Sequence, residues 1–247
     1  MEKVQFENSR RRKLVGNYYE AESDTGIVMS HGFTGDKHEW GYFDKVAEAL
    51  NEAGYNVLVF DFSGGGESNK SPITAEKEID DLDSAINYML SRGVDKIGLY
   101  GHSLGGYISL KNYRPEVKAM VLTAPVTDSI DISKNNLTWT IFAKAMGRIP
   151  QISYMKKKRK MMWIDSKIVD EMKNINQEKL LSSIECPVLI IHGSDDEVVS
   201  LQDSERAVEK LSESKLEVIG GLTHGFDNHL DEVVGNSINW FNSHLKG

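Results

Sequence analysis

Short, almost continuously apolar segments alternate with longer amphipathic segments along this chain, and this alternation is what most constrains its fold. Segments 57–61 (VLVFD) and 187–192 (PVLIIH) lack the apolar–polar alternation of a strand with one solvent-exposed face. Nearly continuous apolar strands are typical of a sheet that helices cover on both faces. Strand–helix alternation then predicts a mostly parallel sheet with right-handed crossovers. We therefore expect an α/β fold.

The same patterns predict the individual elements of that fold. The chain opens with two strands joined by an Asn-Ser-Arg turn, which is typical of a hairpin. Six further strands are predicted, over 26–30, 56–61, 96–100, 118–123, 187–192 and 215–219. Helices are predicted between most of them, over 42–53, 75–91, 104–112, 203–211 and 227–244.

Composition and charge exclude several classes of protein. Of the 247 residues, 40% are hydrophobic and 27% charged, which is the balance of an ordinary globular domain. The net charge of −8 disfavours nucleic-acid binding. The longest aliphatic run, 188–191, is far too short for a membrane span, and the amino terminus has no signal-peptide pattern, so we expect a cytoplasmic location. The single Cys186 excludes an internal disulfide, and no metal-binding motif is present.

One long connection interrupts the alternation. Between Pro125 and Pro187 the sequence has no convincing strand. The same segment holds five of the nine methionines. Connections of that length are normally functional. We interpret 126–183 as a helical cap over a core formed by 1–125 and 184–247. Candidate substrate-binding residues in the cap are Trp139, Phe142, Met146 and Trp163.

A serine follows the predicted strand 96–100 in the pentapeptide 101–105 (GHSLG). A serine on a sharp strand-to-helix turn exposes its hydroxyl above the sheet, and that turn requires small residues on either side, here Gly101 and Gly105. The pattern alone also fits a glycine-rich turn with an incidental serine. Its place between a strand and a helix favours Ser103 as a nucleophile.

Two further polar clusters follow later strands. The strand 187–192 is followed by Asp195 and Asp196, either of which could orient a catalytic histidine or simply form a turn. We favour Asp196 as the acid and Asp195 as the turn residue. His224 lies after the last strand, and it completes the chain order Ser, Asp, His that an α/β-hydrolase triad requires.

Acyl transfer also needs hydrogen-bond donors for the developing oxyanion, usually backbone N–H groups. Leu104, directly after the candidate nucleophile, supplies one. The loop 31–35 (HGFTG), at the end of an early strand, places the N–H of Phe33 to supply the other, although a plain glycine turn would have the same sequence.

These motifs together resemble the α/β-hydrolase superfamily of serine esterases and lipases. HGFTG, FDFSGGGES, GHSLGG, PVLIIHGSDDEVV and LTHGF occur in the family order over nearly the whole chain. Within the superfamily the chain is most similar to small bacterial carboxylesterases of the cinnamoyl (feruloyl) type. The resemblance implies an eight-stranded sheet with a helical cap, Ser103 as nucleophile, His224 as base, Asp196 as acid, and Phe33 and Leu104 as oxyanion donors.

The expected function is therefore hydrolysis of small or medium acyl or aryl esters, with no cofactor. A monoacylglycerol lipase or acyl-thioesterase of the same fold is the main alternative. Peptidase activity of the acylaminoacyl type is less expected, because the amino-terminal propeller of those relatives is missing. A non-catalytic ligand-binding member is a further alternative. The expected partner is a small-molecule ester, and the cap or an edge strand could support a homodimer.

Overall fold

The sheet predicted from the apolar segments is present and has eight strands. A computed structural model describes residues 1–130, 148–155, 158–226 and 229–246. In order across the sheet, the strands are β1 (Glu2–Glu7), β2 (Lys13–Tyr19), β4 (Asn56–Asp61), β3 (Thr25–Ser30), β5 (Lys96–His102), β6 (Val117–Thr123), β9 (Val188–Gly193) and β10 (Ser214–Ile219). The remaining two strands form a separate hairpin, described below. The first two strands form the predicted antiparallel hairpin and join β4 in antiparallel register, whereas all other neighbours are parallel.

Helices cover both faces of this sheet, which explains the continuous apolar strands. Every residue of β4 and β9 is buried. One apolar cluster packs α2 (Ala75–Ser91) and α3 (Leu104–Lys111) against the sheet, and the other packs α1 (Tyr42–Glu52) and α7 (Leu230–Leu245). The remaining helices are α4 Lys167–Lys173, α5 Gln177–Leu181 and α6 Leu201–Val208, with a short 3-10 turn, Glu39–Gly41, before α1. The predicted α/β-hydrolase fold is confirmed.

The long connection after β6 differs in part from the expectation. Two helices, α4 and α5, lie in its described part, as predicted. That part also contains an antiparallel hairpin of β7 (Arg148–Met155) and β8 (Lys158–Asp165), which the sequence analysis did not predict. The hairpin is joined to the core, because Ile73 N–H donates to the Trp163 carbonyl at 2.8 Å. The core and cap boundaries that we assigned stay a prediction.

Candidate active site

Ser103 lies at a strained turn between β5 and α3. Its φ of +54° and ψ of −119° place it outside the regions that non-glycine residues normally adopt. A side chain at Gly105 would place its Cβ 2.0 Å from the Ser30 carbonyl oxygen, and one at Gly101 would lie 2.6 Å from the Gly105 carbonyl. Small residues on both sides of Ser103 are therefore a steric requirement of this turn.

The structure brings Ser103 together with His224 and Asp196 at the carboxyl edge of the sheet. His224 Nε2 lies 3.0 Å from Ser103 Oγ, and His224 Nδ1 lies 2.7 Å from Asp196 Oδ2. Ser103 and His224 are separated by 121 positions in the chain. Hydrogen-bond contact of a serine with a histidine that a carboxylate orients in turn is the arrangement that activates a serine for nucleophilic attack.

The Asp196 carboxylate is buried and accepts several hydrogen bonds. Its Oδ1 accepts from the N–H groups of Val198 at 2.8 Å and Val199 at 3.0 Å. Burial alone would raise the pKa of Asp196, but the hydrogen bonds with His192 and His224 outweigh it and hold that pKa well below its ordinary value. Asp195 contacts the Ser194 hydroxyl instead, at 2.7 Å. Of the two adjacent aspartates, the structure brings Asp196 to the histidine.

His192 is a contact of this site that the sequence analysis missed. Its Nε2 lies 3.3 Å from Asp196 Oδ2 and 3.1 Å from the Val199 carbonyl oxygen. Because both partners are acceptors, Nε2 carries the proton, and Nδ1 accepts from the Ser204 hydroxyl at 2.7 Å. The histidine lies four residues before Asp196 and directly before Gly193 at the end of a strand, and this spacing is the one sequence signal that pointed to it.

A second buried histidine lines the other side of the His224 ring. The ring centroids of His102 and His224 are 4.9 Å apart. Burial, together with the neighbouring His224, lowers the pKa of His102 to about 3. His102 is therefore neutral at ordinary pH and adds no positive charge beside His224. Its Nδ1 contacts the Thr123 carbonyl oxygen at 3.2 Å, which ties it to β6.

The loop after β3 holds the Gly32–Phe33 peptide in one orientation. Phe62 N–H donates to His31 Nε2 at 3.2 Å, so the His31 proton is on Nδ1, from which it donates to the Gly32 carbonyl at 2.9 Å. Gly35 N–H donates to the same carbonyl at 3.0 Å. Because the peptide is planar and trans, the Phe33 N–H must point away from that carbonyl.

Both predicted oxyanion donors are available in this arrangement. A Cβ on Gly32 would lie 3.3 Å from Ser103 Cβ, so the loop approaches the nucleophile closely. Leu104 is the first residue of α3, where the helix presents N–H groups with no partner in the helix. Within the described ranges, the N–H groups of Phe33 and Leu104 have no hydrogen-bond acceptor.

An apolar cavity of about 90 Å³ adjoins Ser103. It is lined by Phe33, Ser103, Leu104, Val126, Ile130, Ile168, Met172, Val198 and Val199. One helix of the cap segment, α4, and the triad loops thus share one pocket, and its surface is almost entirely nonpolar. Such a pocket would exclude charged groups and accept a small hydrocarbon substituent.

Of the four cap residues predicted to contact the substrate, one lies in the part of the chain that the structure describes. Trp139, Phe142 and Met146 lie outside the described residues. Trp163 lies on β8 with 43% of its surface exposed and does not line the cavity beside Ser103. Its role stays a prediction. The side chains that line the cavity from this segment are Val126, Ile130, Ile168 and Met172.

Among the residues that the structure describes, no three histidine, cysteine or acidic side chains cluster in a way that could hold a metal ion. No helix within the described ranges is long and apolar enough to cross a membrane.

Comparison with known proteins relates this chain to a family. Residues 21–180, well over half of the chain, match the family model Hydrolase_4, serine aminopeptidase S33. Human protein ABHD12B (Homo sapiens) is 29% identical over 202 residues, covering 78% of this chain and 52% of that protein. Lysophosphatidylserine lipase ABHD12 of Danio rerio is 25% identical over 196 residues, covering 76% and 48%. The chain thus spans about half the length of these two relatives.

A solved structure shares the fold over the whole chain. Est1E from Butyrivibrio proteoclasticus, determined with bound ferulic acid, superposes with a TM-score of 0.80 at 22% identity and covers 99% of this chain and 100% of that one. The resemblance to α/β-hydrolase esterases drawn from the motifs is confirmed by the family match and by this shared fold. The chain belongs to the serine aminopeptidase S33 (Hydrolase_4) family of α/β-hydrolases.

Proposed function

We propose that this protein is a serine esterase that cleaves small or medium acyl or aryl esters with Ser103 as nucleophile, His224 as base and Asp196 as the orienting acid. The observation that carries the proposal is the position of His224. Its two nitrogens lie 3.0 Å from Ser103 Oγ and 2.7 Å from Asp196 Oδ2. Proton transfer across hydrogen bonds of this length is efficient in general-base catalysis.

In the first half of the reaction, Ser103 Oγ bonds to the ester carbonyl carbon while its proton passes to His224 Nε2. The carbonyl electron pair moves onto the oxygen, where the N–H groups of Phe33 and Leu104 stabilise the negative charge. Asp196 stabilises the imidazolium. The tetrahedral intermediate then collapses, the bond to the alkoxy oxygen breaks, and His224 donates its proton to the leaving alcohol.

Water completes the cycle by the same route. His224 takes a proton from water as the water oxygen bonds to the acyl carbon, and the second tetrahedral intermediate expels Ser103 Oγ, which recovers the proton from His224. The acid is released and the free enzyme is restored. Every proton in this scheme is carried by His224, so the reaction needs no cofactor.

The nonpolar cavity beside Ser103 supports a substrate with an uncharged, compact acyl or aryl group. Est1E was determined with bound ferulic acid, and as part of the proposal we extend a ligand of that cinnamoyl type to this chain. A second candidate is a lipase acting on monoacylglycerols or lysophospholipids. It is supported by the similarity to lysophosphatidylserine lipase ABHD12 and by the same nonpolar lining.

The test is hydrolysis of p-nitrophenyl esters from C2 to C12 and of methyl ferulate by wild type, Ser103→Ala and the control Ser243→Ala. Ser243 is an exposed serine on α7, remote from the triad. We expect wild-type and Ser243→Ala turnover with an optimum at C2–C4 or on the ferulate, and loss of turnover in Ser103→Ala.

Other outcomes decide between the alternatives. An optimum at C8 or longer would favour the lipase. Faster cleavage of alanine p-nitroanilide than of any ester would favour a peptidase. Ester turnover that survives in folded Ser103→Ala would exclude Ser103 as the nucleophile, as would labelling of another residue by a fluorophosphonate probe in peptide mass spectrometry.

A further inference from the structure

A buried carboxyl group lies directly behind the loop that carries the proposed oxyanion donor Phe33. Glu39 is only 5% exposed, although it follows that loop in an otherwise polar segment. Its Oε2 accepts a hydrogen bond from the Gly32 N–H at 3.0 Å. A Cβ on Gly35 would lie 2.5 Å from the same oxygen, so the carboxyl group packs tightly under the loop. Glu39 therefore contacts the loop at both of its glycines.

The backbone around Glu39 is held in an unfavourable conformation. Glu39, Trp40 and Gly41 have φ values of +39°, +56° and +94°, three consecutive residues in the left-handed region. For the two that carry a side chain, this conformation costs free energy and persists only where the surroundings enforce it. It turns the Glu39 side chain inward, whereas Trp40 is 72% exposed. Such strain is concentrated at functional sites.

No cation compensates the charge of this carboxyl group within the part of the chain that the structure describes. The nearest lysine in sequence, Lys37, is paired with Asp61 and Glu67. Glu39 has no ion pair among the described residues, and the Gly32 N–H is its one hydrogen-bond donor there. A buried carboxylate without a cation is costly, so burial favours the neutral acid.

The titratable groups that face Glu39 do not reverse this preference. They are Asp36, Tyr42 at the start of α1, and His102, which lies with Glu39 beside the position that a Gly32 Cβ would occupy. Burial is the largest effect and raises the pKa of Glu39 to about 8. The Gly32 hydrogen bond opposes that rise, and the negative charge of Asp36 adds to it. Glu39 is thus protonated at neutral pH.

We infer that Glu39 is a positioning residue for the oxyanion loop: as the neutral acid it holds Gly32 and thereby directs the Phe33 N–H, and its ionisation slows the reaction. This inference rests on the proposed esterase function. Three hydrogen bonds then hold Gly32 from both sides: His31 and Gly35 donate to its carbonyl, which is part of the donor peptide, and its N–H, in the preceding peptide, donates to Glu39.

Glu39 lies close to Ser103, and for this reason its ionisation would affect the reaction. Ser103 Cβ and Glu39 Oε1 lie 3.3 and 3.6 Å from the point that a Gly32 Cβ would occupy. A negative Glu39 would repel the oxyanion that forms beside Ser103. At a separation of roughly 7 Å and an effective dielectric constant near 20, this repulsion slows the step roughly 10- to 50-fold.

The experiment compares pH–kcat profiles of wild type, Glu39→Gln and Glu48→Gln from pH 6 to pH 10, with ethyl acetate hydrolysis followed in a pH-stat. Glu48→Gln is the matched control, because it makes the same substitution at an exposed position on α1. We expect wild type and Glu48→Gln to lose at least tenfold in kcat with a midpoint near pH 8. Glu39→Gln keeps an acceptor for Gly32, so its kcat should stay within about twofold of wild type at pH 7 and remain level above it.

A second variant, Glu39→Leu, removes the acceptor. We expect its kcat to fall at least tenfold at pH 7 with KM within about twofold, because the oxyanion donor acts in the transition state. Thermal unfolding checks that the variant is folded. If it is not, the Glu39→Gln profile decides alone. An alkaline decline that persists unchanged in Glu39→Gln, or wild-type kcat in folded Glu39→Leu, would overturn the inference.

These results are separable from a failure of the proposed function. If wild type shows no ester turnover that depends on Ser103, the esterase proposal fails and the role of Glu39 in it fails too. If Ser103-dependent turnover is present and Glu39→Gln changes nothing in the pH profile, only the inference about Glu39 is refuted.

Discussion

The buried imidazole of His192 lies 3.3 Å from Asp196 Oδ2, the oxygen that also contacts His224. This places a hydrogen-bond donor behind the carboxylate that orients the proposed base. Asp196 is thereby fixed from two directions, by the imidazole on one side and by the N–H groups of Val198 and Val199 on the other. Hydrogen bonds that hold a catalytic side chain from behind in this way maintain the geometry of the reactive group.

Replacing His192 should therefore affect catalysis as well as stability. His192→Phe keeps a ring in the buried space and removes the donor. We expect kcat to fall about tenfold and the free energy of unfolding to fall by about 1–3 kcal/mol, because Asp196 loses a hydrogen bond and Ser204 loses a partner. Esterase assays and urea unfolding measure the two effects. Ser204→Ala, which leaves the contact with Asp196 intact, should change kcat less than twofold. Wild-type kcat in folded His192→Phe would show that the contact is only structural.

The two adjacent aspartates should differ sharply in their effect on rate. Asp196→Asn should lower kcat about 10⁴-fold, because an amide neither stabilises the imidazolium of His224 nor maintains its tautomer. Asp195→Asn should stay within about twofold of wild type, since Asp195 contacts Ser194 and not the imidazole. Steady-state kinetics on one ester settles the comparison. Equal losses in both variants would refute the assignment.

The turn that carries Ser103 should not tolerate a methyl group at Gly105. Gly105→Ala would force a Cβ to within 2.0 Å of the Ser30 carbonyl oxygen, so β3 and α3 must separate. We expect the free energy of unfolding in urea to fall by at least about 2 kcal/mol. Gly235→Ala is the control: it lies in α7 with no atom within 4 Å of the new Cβ, and it should raise stability by about 0.5–1 kcal/mol. A similar effect of both substitutions would contradict the steric argument.

Enlarging the cavity beside Ser103 should change chain-length preference. Met172 lines it from α4, and Met172→Ala removes three side-chain heavy atoms. We expect the optimum on p-nitrophenyl esters to move to acyl chains about two to three carbons longer, with a loss of about 2–4 kcal/mol in stability. Ile184→Ala, at a buried position that does not line the cavity, should lower stability without moving the optimum. An unchanged optimum in Met172→Ala would place the acyl group elsewhere.

The raised pKa of Glu39 also predicts a pH-dependent difference in stability. In the folded protein that pKa is about 8, above its ordinary value of 4.5, so wild type must bind a proton on folding between these values. The contribution of this proton to the free energy of unfolding is fully present below pH 4.5 and is lost as pH rises through 8. Glu39→Gln has no such proton. Its advantage over wild type in urea unfolding should grow by an amount on the order of 4 kcal/mol over that range. A difference that stays constant with pH would refute the raised pKa.

Local patterns were sufficient to predict the sheet and the order of its candidate site residues. Each core strand is an apolar run and each motif follows one, so Ser103, Asp196 and His224 could be located before their contacts were known. Apolar periodicity and turn-forming residues act over a few neighbouring positions, and they depend little on the rest of the chain. The β7–β8 hairpin was not predicted because its strands, such as Lys158–Asp165, lack a clear alternating or apolar pattern.

Contacts between distant segments were decided by tertiary structure alone. Asp195 and Asp196 are the same residue type at adjacent positions, and only the approach of His224, 28 residues later, distinguishes them. The burial of His192 against Asp196 and of Glu39 under Gly32 depends on how loops pack at the edge of the sheet. The sequence by itself determined which chemical groups reach that edge. Packing of the folded chain determined which groups touch and which are removed from water, because burial and hydrogen bonding depend on every segment around them.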